Sequence, residues 1–260
     1  MNEFYERMNI RNQGKTRIAD IILSEYDSKD TLIVDVGAGS CVIEQMLVER
    51  GFKGRMRAID RNPNAMESLD SRWFKHFTPD SRDAISGVMD AILWAKGYMK
   101  RIVFVLSAVL HELTKQDRED LFYLIRISKR YANVTVLIRE PLFEFDLVDL
   151  KHGGLPVDME DRRFLEYFDI HIGEFPSYAQ LFTNFCFAKS YGYDAWEREK
   201  HEGRFTLTLD DVKRFTDIAQ LKIAMIEKER DEFYKDTLPY GLYDKLKWTG
   251  NLIVMEGKKE

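Results

Sequence analysis

Cysteine is scarce in this 260-residue chain, which has two, Cys41 and Cys186. Two thiols cannot make a disulfide framework or a Cys-rich zinc site. They fit a reducing compartment, so a cytoplasmic location is expected. Long apolar runs are also missing: nothing approaches the roughly 18 residues of a membrane-spanning helix. The opening stretch MNEFYERMNIRNQGK is too polar and charged to read as a signal peptide. Neither sign of charge dominates. Lys and Arg number 39 and Asp and Glu 44, a formal net charge of -5. The chain as a whole therefore has no attraction for a phosphate backbone or an anionic bilayer. His152, His171 and His201 lie scattered, without the spacing of metal ligands, and no metal site is expected. There is no internal repeat and no low-complexity segment. Hydrophobic residues make up 45% and charged residues 32%, an ordinary globular balance. The length suits one large α/β domain, or one carrying an insertion.

The most informative stretch is TLIVDVGAGS, Thr31 to Ser40. Leu32, Ile33 and Val34 form a short apolar run rich in β-branched residues, as a buried parallel strand does. Asp35 ends the run, and Val36 to Ser40 makes a glycine-rich turn. Val42, Ile43, Met46 and Leu47 then recur at helical spacing. Gly37 and Gly39 lack Cβ, so the backbone can turn sharply and a ligand can lie against it. The helix that follows offers unpaired N–H groups at its start. Arg57 to Asp60 reads as the end of a second strand, with Asp60 about two dozen residues after Gly37. An acid at that place accepts the hydroxyls of a ribose. A dinucleotide fingerprint would need a further glycine where Val42 stands, so NAD is the poorer fit.

IVDVGAGS followed by AIDRNP resembles the first two motifs of class I S-adenosylmethionine-dependent methyltransferases. A third match is the strand RIVFVLS, Arg101 to Ser107, followed by the Leu-His turn Leu110-His111-Glu112. One departure is Cys41, which stands where the family often carries another glycine. The resemblance implies a Rossmann-like, doubly wound α/β fold. Its mostly parallel seven-stranded sheet would close with a C-terminal antiparallel hairpin and carry a helical insertion. It implies S-adenosylmethionine as cofactor, held by Asp35, Gly37, Ala38, Gly39, Asp60, Arg61 and Ser107. Near the end of the third strand Asp80 and Asp83 are the candidates for contacting adenine, and Asp83 joins the cofactor set. A surface turn and a helix cap are the other readings of those two. In the same family an N-terminal helix often forms a flap over the cofactor, which would bring Lys15 or Arg17 to its carboxylate.

The remaining elements follow from periodicity. Residues 2 to 27 and 64 to 72 read as helices, and Trp73 to Phe77 as the third strand. Ser81 to Gly97 and Thr114 to Ser128 read as amphipathic helices and Asn133 to Ile138 as a strand. Pro141 cannot continue a ladder as donor, so that strand stops at Arg139 and Glu140. Thr208 with Asp211 resembles a capping box opening a helix from Leu209 to Ala219. Lys222 to Lys228 and Asn251 to Glu256 close the chain as strands. Residues 1–141 and 205–260 would form the cofactor-binding core. The resemblance implies that residues 142–204, dense in Phe, Tyr and Trp, are a helical insertion or lid over the substrate site; packing of those aromatics in a core is the other reading.

The expected function is methyl transfer from S-adenosylmethionine to a small molecule, with RNA or a protein as the alternative acceptor. His111 is the candidate general base, since an imidazole titrates near neutrality, and Glu112 would orient it or bind substrate. Packing beside the cofactor is the other reading of His111. DNA is disfavoured as substrate: neither an Asn- or Asp-Pro-Pro-aromatic motif nor a Pro-Cys pair follows the fourth strand. A regulatory module that keeps the fold and the cofactor without turnover is the reading from outside enzymology. Oligomeric state is left open by the sequence.

Overall fold

The computed structural model describes residues 12–67, 69, 71–140, 192, 194, 198, 201–202, 207–229 and 250–259. The expected lid at 142–204 therefore falls almost wholly outside the described residues, as does the start of the N-terminal helix. Within them the chain runs α1 (Asn12–Glu25), β1 (Thr31–Val36), α2 (Val42–Glu49), β2 (Arg55–Ile59) and α3 (Pro63–Glu67). It continues with β3 (Thr78–Asp80), α4 (Ala84–Ala95), β4 (Arg101–Ser107), α5 (Lys115–Ser128) and β5 (Asn133–Glu140). It closes with α6 (Leu209–Ala219), β6 (Lys222–Glu229) and β7 (Gly250–Gly257).

The seven strands form one sheet in the order β3-β2-β1-β4-β5-β7-β6. The five strands from β3 to β5 are parallel, and β7 runs antiparallel to both β5 and β6. This is the expected architecture. The central strands are apolar on both faces because helices cover both. Leu32, Val34, Ile102, Phe104 and Leu106 point to the face packed by α4, α5 and α6. Ile33, Val103 and Val105, one position out of phase, point to the face covered by α1 and α2. The period of two thus divides one sheet between two cores. In the first, Phe122 and Phe215 stack with ring centroids 4.7 Å apart, joining α5 to α6. α6 opens with the expected capping box, Thr208 and Asp211 each bonding the other's backbone amide.

Two elements depart from expectation: the helix expected over 64–72 is Pro63–Glu67, and the third strand lies later than its apolar run suggested. Residues 71–75 form a 3-10 turn, and the third strand is Thr78–Asp80, just after the apolar run that suggested it. Its middle residue is Pro79, a poor strand former anywhere but a sheet edge. Among the described residues β3 is that edge, pairing only with β2, so the missing N–H costs nothing on the other side. The apolar residues before it, Trp73 and Phe77, pack against the α1/α2 core instead.

Sequential strands step outward from β1 to β3, then β4 returns to the other side of β1. The carboxyl ends of β1 and β4 therefore lie at the switch point of the sheet, where α/β folds of this kind hold ligands.

Candidate active site

A cavity of about 360 Å³ opens at that switch point, within the range of small-ligand pockets. Its walls come from the carboxyl ends of β1, β2, β4 and β5 and from α1. Of the residues expected from the sequence, Gly37, Gly39, Asp60, Arg61, Ser107 and Glu112 line it. Asp35, Ala38, Asp83 and His111 stand behind the walls or beside them. The two candidates from the N-terminal helix separate: Lys15 faces the cavity, whereas Arg17 pairs with Glu227 at 3.0 Å.

The glycine-rich loop is held from beneath. The amides of Gly37 and Ala38 both donate to the carbonyl of Ile59, at 2.8 and 3.1 Å. Gly37 and Gly39 adopt positive φ, +73° and +57°, which a residue with a Cβ resists. Their surroundings differ. A Cβ on Gly37 would lie 2.6 Å from a methyl of Val109, so β4's exit turn closes on that glycine. A Cβ on Gly39 would meet nothing within 4 Å, since this glycine fronts open space. Cys41, in place of the family's further glycine, keeps the left-handed conformation with φ +53°.

Asp60 ties loop and second strand together. One carboxylate oxygen accepts from the Gly39 amide at 2.8 Å and the other from Asn62 at 2.8 Å. Two donors do not exhaust a carboxylate, which has about four acceptor positions, so Asp60 can still receive the two hydroxyls of a ribose. Ser107 ends β4 with its Oγ buried and without a hydrogen-bond partner, on the cavity wall. A buried orphan of that kind calls for a partner such as a ligand or a water. A partly satisfied acid, an unpartnered hydroxyl and an open glycine ledge fit a nucleoside cofactor such as S-adenosylmethionine.

The acids at the end of β3 and just after it have partners within the chain. Asp83 caps α4, accepting from the Ser86 amide at 2.9 Å, which is the helix-cap reading. Asp80 ends β3 beneath Arg82, whose guanidinium reaches it at 2.6 and 2.8 Å and holds its carboxyl below the usual carboxylate range.

His111 has a partner that spacing did not reveal. Its Nδ1 lies 2.8 Å from Oε2 of Glu140, at the end of β5. The other oxygen of Glu140 accepts from the amides of Val109 and Leu110, at 2.9 and 2.6 Å. Glu140, 1% exposed, therefore fixes both the turn after β4 and the imidazole. With Oε2 as the acceptor, Nδ1 is the donor of this bond. Glu112 sits 4.0 Å from Nε2 and faces the cavity, so it does not set the ring. Glu140 was within reach of sequence reasoning as part of the Arg-Glu-Pro step. Its neighbour Arg139 lines the cavity and pairs with Glu229 at 2.9 Å.

Beneath the loop lies a second acid that no motif marks. Asp35, at the end of β1, and Glu44, in the first turn of α2, are 2% and 0% exposed. Burial raises the Asp35 carboxyl well above its usual range, and the facing Glu44 adds to the effect. Burial likewise pushes Glu44 up to about 7, with Lys15 pulling in the other direction. An acid in the first turn of a helix is ordinary complementarity with the macrodipole, so nothing in the sequence sets Glu44 apart.

No protein-family model matches this sequence, and no curated protein does. Solved structures do resemble it. A SAM-dependent methyltransferase from Archaeoglobus fulgidus superposes with a TM-score of 0.55 at 12% identity, over 99% of this chain and all of that one. Geranyl diphosphate C-methyltransferase from Streptomyces coelicolor A3(2), in complex with Mg2+, geranyl diphosphate and S-adenosyl-L-homocysteine, gives 0.51 at 11% identity, over 95% and 79%. A protein assigned as an O-methyltransferase from Nostoc punctiforme PCC 73102 gives 0.51 at 10% identity, and the match spans 94% of this chain but only 56% of that one. The chain thus has the Rossmann-like fold of class I S-adenosylmethionine-dependent methyltransferases. Among the described residues no helix is long and apolar enough to cross a membrane, and no cluster of side chains could hold a metal ion.

Proposed function

We propose that the protein transfers a methyl group from S-adenosylmethionine to a small molecule. The observation that carries this reading is Asp60: a carboxylate at the end of β2, bonded to the glycine loop, with acceptor capacity left and a cavity in front of it. When bound, S-adenosylmethionine supplies a methyl already activated on a sulfonium, so the protein's work is chiefly alignment and proton removal. Asp60 takes the ribose, Ser107 offers its Oγ, and Gly39 leaves the space. His111 accepts the proton of the methyl acceptor at Nε2, with Glu140 holding the ring and its tautomer. Glu112 and Arg139, at the cavity wall, meet the acceptor substrate. The net charge of -5 favours a small acceptor over RNA.

Calorimetric titration with S-adenosylmethionine, S-adenosylhomocysteine and NAD tests the cofactor. The first two are expected to bind and NAD not. Asp60→Ala should weaken binding by about 1–3 kcal/mol, the scale of hydrogen bonds to a charged group; unchanged affinity in the folded variant removes the ribose role. Methyl label from the cofactor, followed into extracts, should appear in low-mass products; label in RNA or protein would transfer the substrate assignment there. His111→Asn should leave cofactor affinity in place while lowering turnover about 10²–10⁴-fold, and unaltered turnover would exclude the base.

A further inference from the structure

The acid pair under the glycine loop has a geometry that needs a proton. Glu44 is fully buried, and neither of its oxygens receives a hydrogen bond. The group it faces is Asp35, another carboxyl, so acceptor is set against acceptor. Two ionised carboxylates in that position would repel with almost no water to screen them. One proton between them turns the repulsion into a hydrogen bond, as in other carboxyl pairs that share a site. The charged and titratable groups around the pair are few. Lys15 approaches from α1, Asp60 from the end of β2, and Cys41 from the loop. Among the described residues Lys15 is the cation acting on the pair, and it also lines the cavity. Cys41 is buried, and burial together with Glu44, Asp35 and Asp60 pushes its thiol far up, so it stays neutral.

We infer that Glu44, with Asp35, is a specificity-determining element that tells the methyl donor from its demethylated product by charge, releasing the shared proton as the cationic donor binds. The inference rests on the cofactor reading above. Donor and product carry the same ammonium and carboxylate and differ by the sulfonium, a full positive charge. When that charge enters the cavity, the second negative charge on the pair gains a counter-ion, and the proton is no longer needed. The neutral thioether of the product gives no such return. Donor affinity should therefore rise with pH relative to product affinity, and a spent cofactor should leave more readily once its charge is gone. Glu112 is another acid on the cavity wall, but it is exposed and holds no shared proton, so any preference it gives for the cation should not carry the proton release that marks the pair.

The test is calorimetry of the full chain with S-adenosylmethionine and S-adenosylhomocysteine at pH 6, 7 and 8. Each titration is run in phosphate and in Tris, whose ionisation heats differ widely. The ratio of donor to product affinity is expected to rise about three- to tenfold between pH 6 and 8, the most that one linked proton gives per unit being tenfold. The donor's binding heat should depend on the buffer near pH 7 more than the product's does. In Glu44→Gln the ratio should fall and lose its pH dependence; Asp35→Asn serves as the second variant should the first not fold. Buffer-independent heats with a constant ratio in the wild-type protein, both ligands still binding, would overturn this inference and leave the cofactor reading intact. Absence of binding by either ligand would overturn both.

Discussion

Two buried acids flank the switch point of the sheet, and they are treated in opposite ways. Glu140 ends β5 with three donors on its two oxygens: the amides of Val109 and Leu110 and the imidazole of His111. Glu44, in α2, is as deeply buried and has no donor on either oxygen. The first is a finished structural joint. It converts a strand end into a fixed platform for a turn and a ring, and its cost of burial is offset by charge-assisted bonds. The second is left without a donor from the chain. No donor of the chain serves Glu44, so a proton shared with Asp35 is what would pair it.

Three changes would break or sharpen that contrast. The largest effect is expected from Glu140→Ala, which strands two backbone amides and the His111 ring at once. At roughly 1–3 kcal/mol for each buried donor left unpaired, the loss should be about 3–5 kcal/mol, read as a lowered urea midpoint. A loss under about 1 kcal/mol would show that Glu140 is no such joint. Next comes Gly37→Ala. Its Cβ would press on Val109, and its φ of +73° disfavours any L side chain, so about 2–3 kcal/mol of stability should go. Gly39→Ala, with open space before it, is the matched control, sharing the φ cost without the clash. Equal losses at the two glycines would mean that Val109 does not crowd the loop. The smallest effect is expected from Glu44→Gln, and its sign depends on pH. The Glu44 carboxyl is raised from near 4 in the unfolded chain to about 7 in the fold. Between those values the fold binds more protons than the unfolded chain, so stability falls as pH rises through the window and levels off above it. Glu44→Gln cannot titrate and should flatten that fall, leaving the variant relatively more stable at pH 8 than at pH 5. Parallel pH profiles for wild type and variant would contradict the shared proton.

What the sequence disclosed and what it withheld follow from range. The strand–loop–helix at Thr31 to Glu49, the strand at Arg101 and the capping box of α6 were legible because periodicity, glycine and caps are local signals. Thr208 and Asp211 are three positions apart and bind each other. β3 escaped notice because Pro79 makes it a poor strand by every local criterion, and only its place at the sheet edge excuses it. The partner of His111 escaped notice for another reason. Glu140 is 29 residues away, brought to it by the parallel pairing of β4 with β5. The Asp35–Glu44 pair is close in sequence, yet it depends on which face of β1 an odd-numbered residue takes. Asp35 shares the phase of Ile33, which points at α2.

The proline of β3 has one more effect. A sheet margin is a template on which another chain can grow, by accepting or offering backbone bonds strand against strand. β3 is three residues long, and its central residue has no proton to offer. An incoming strand would find too few rungs to hold, so at this margin the sheet carries its own guard against edge-to-edge polymerisation.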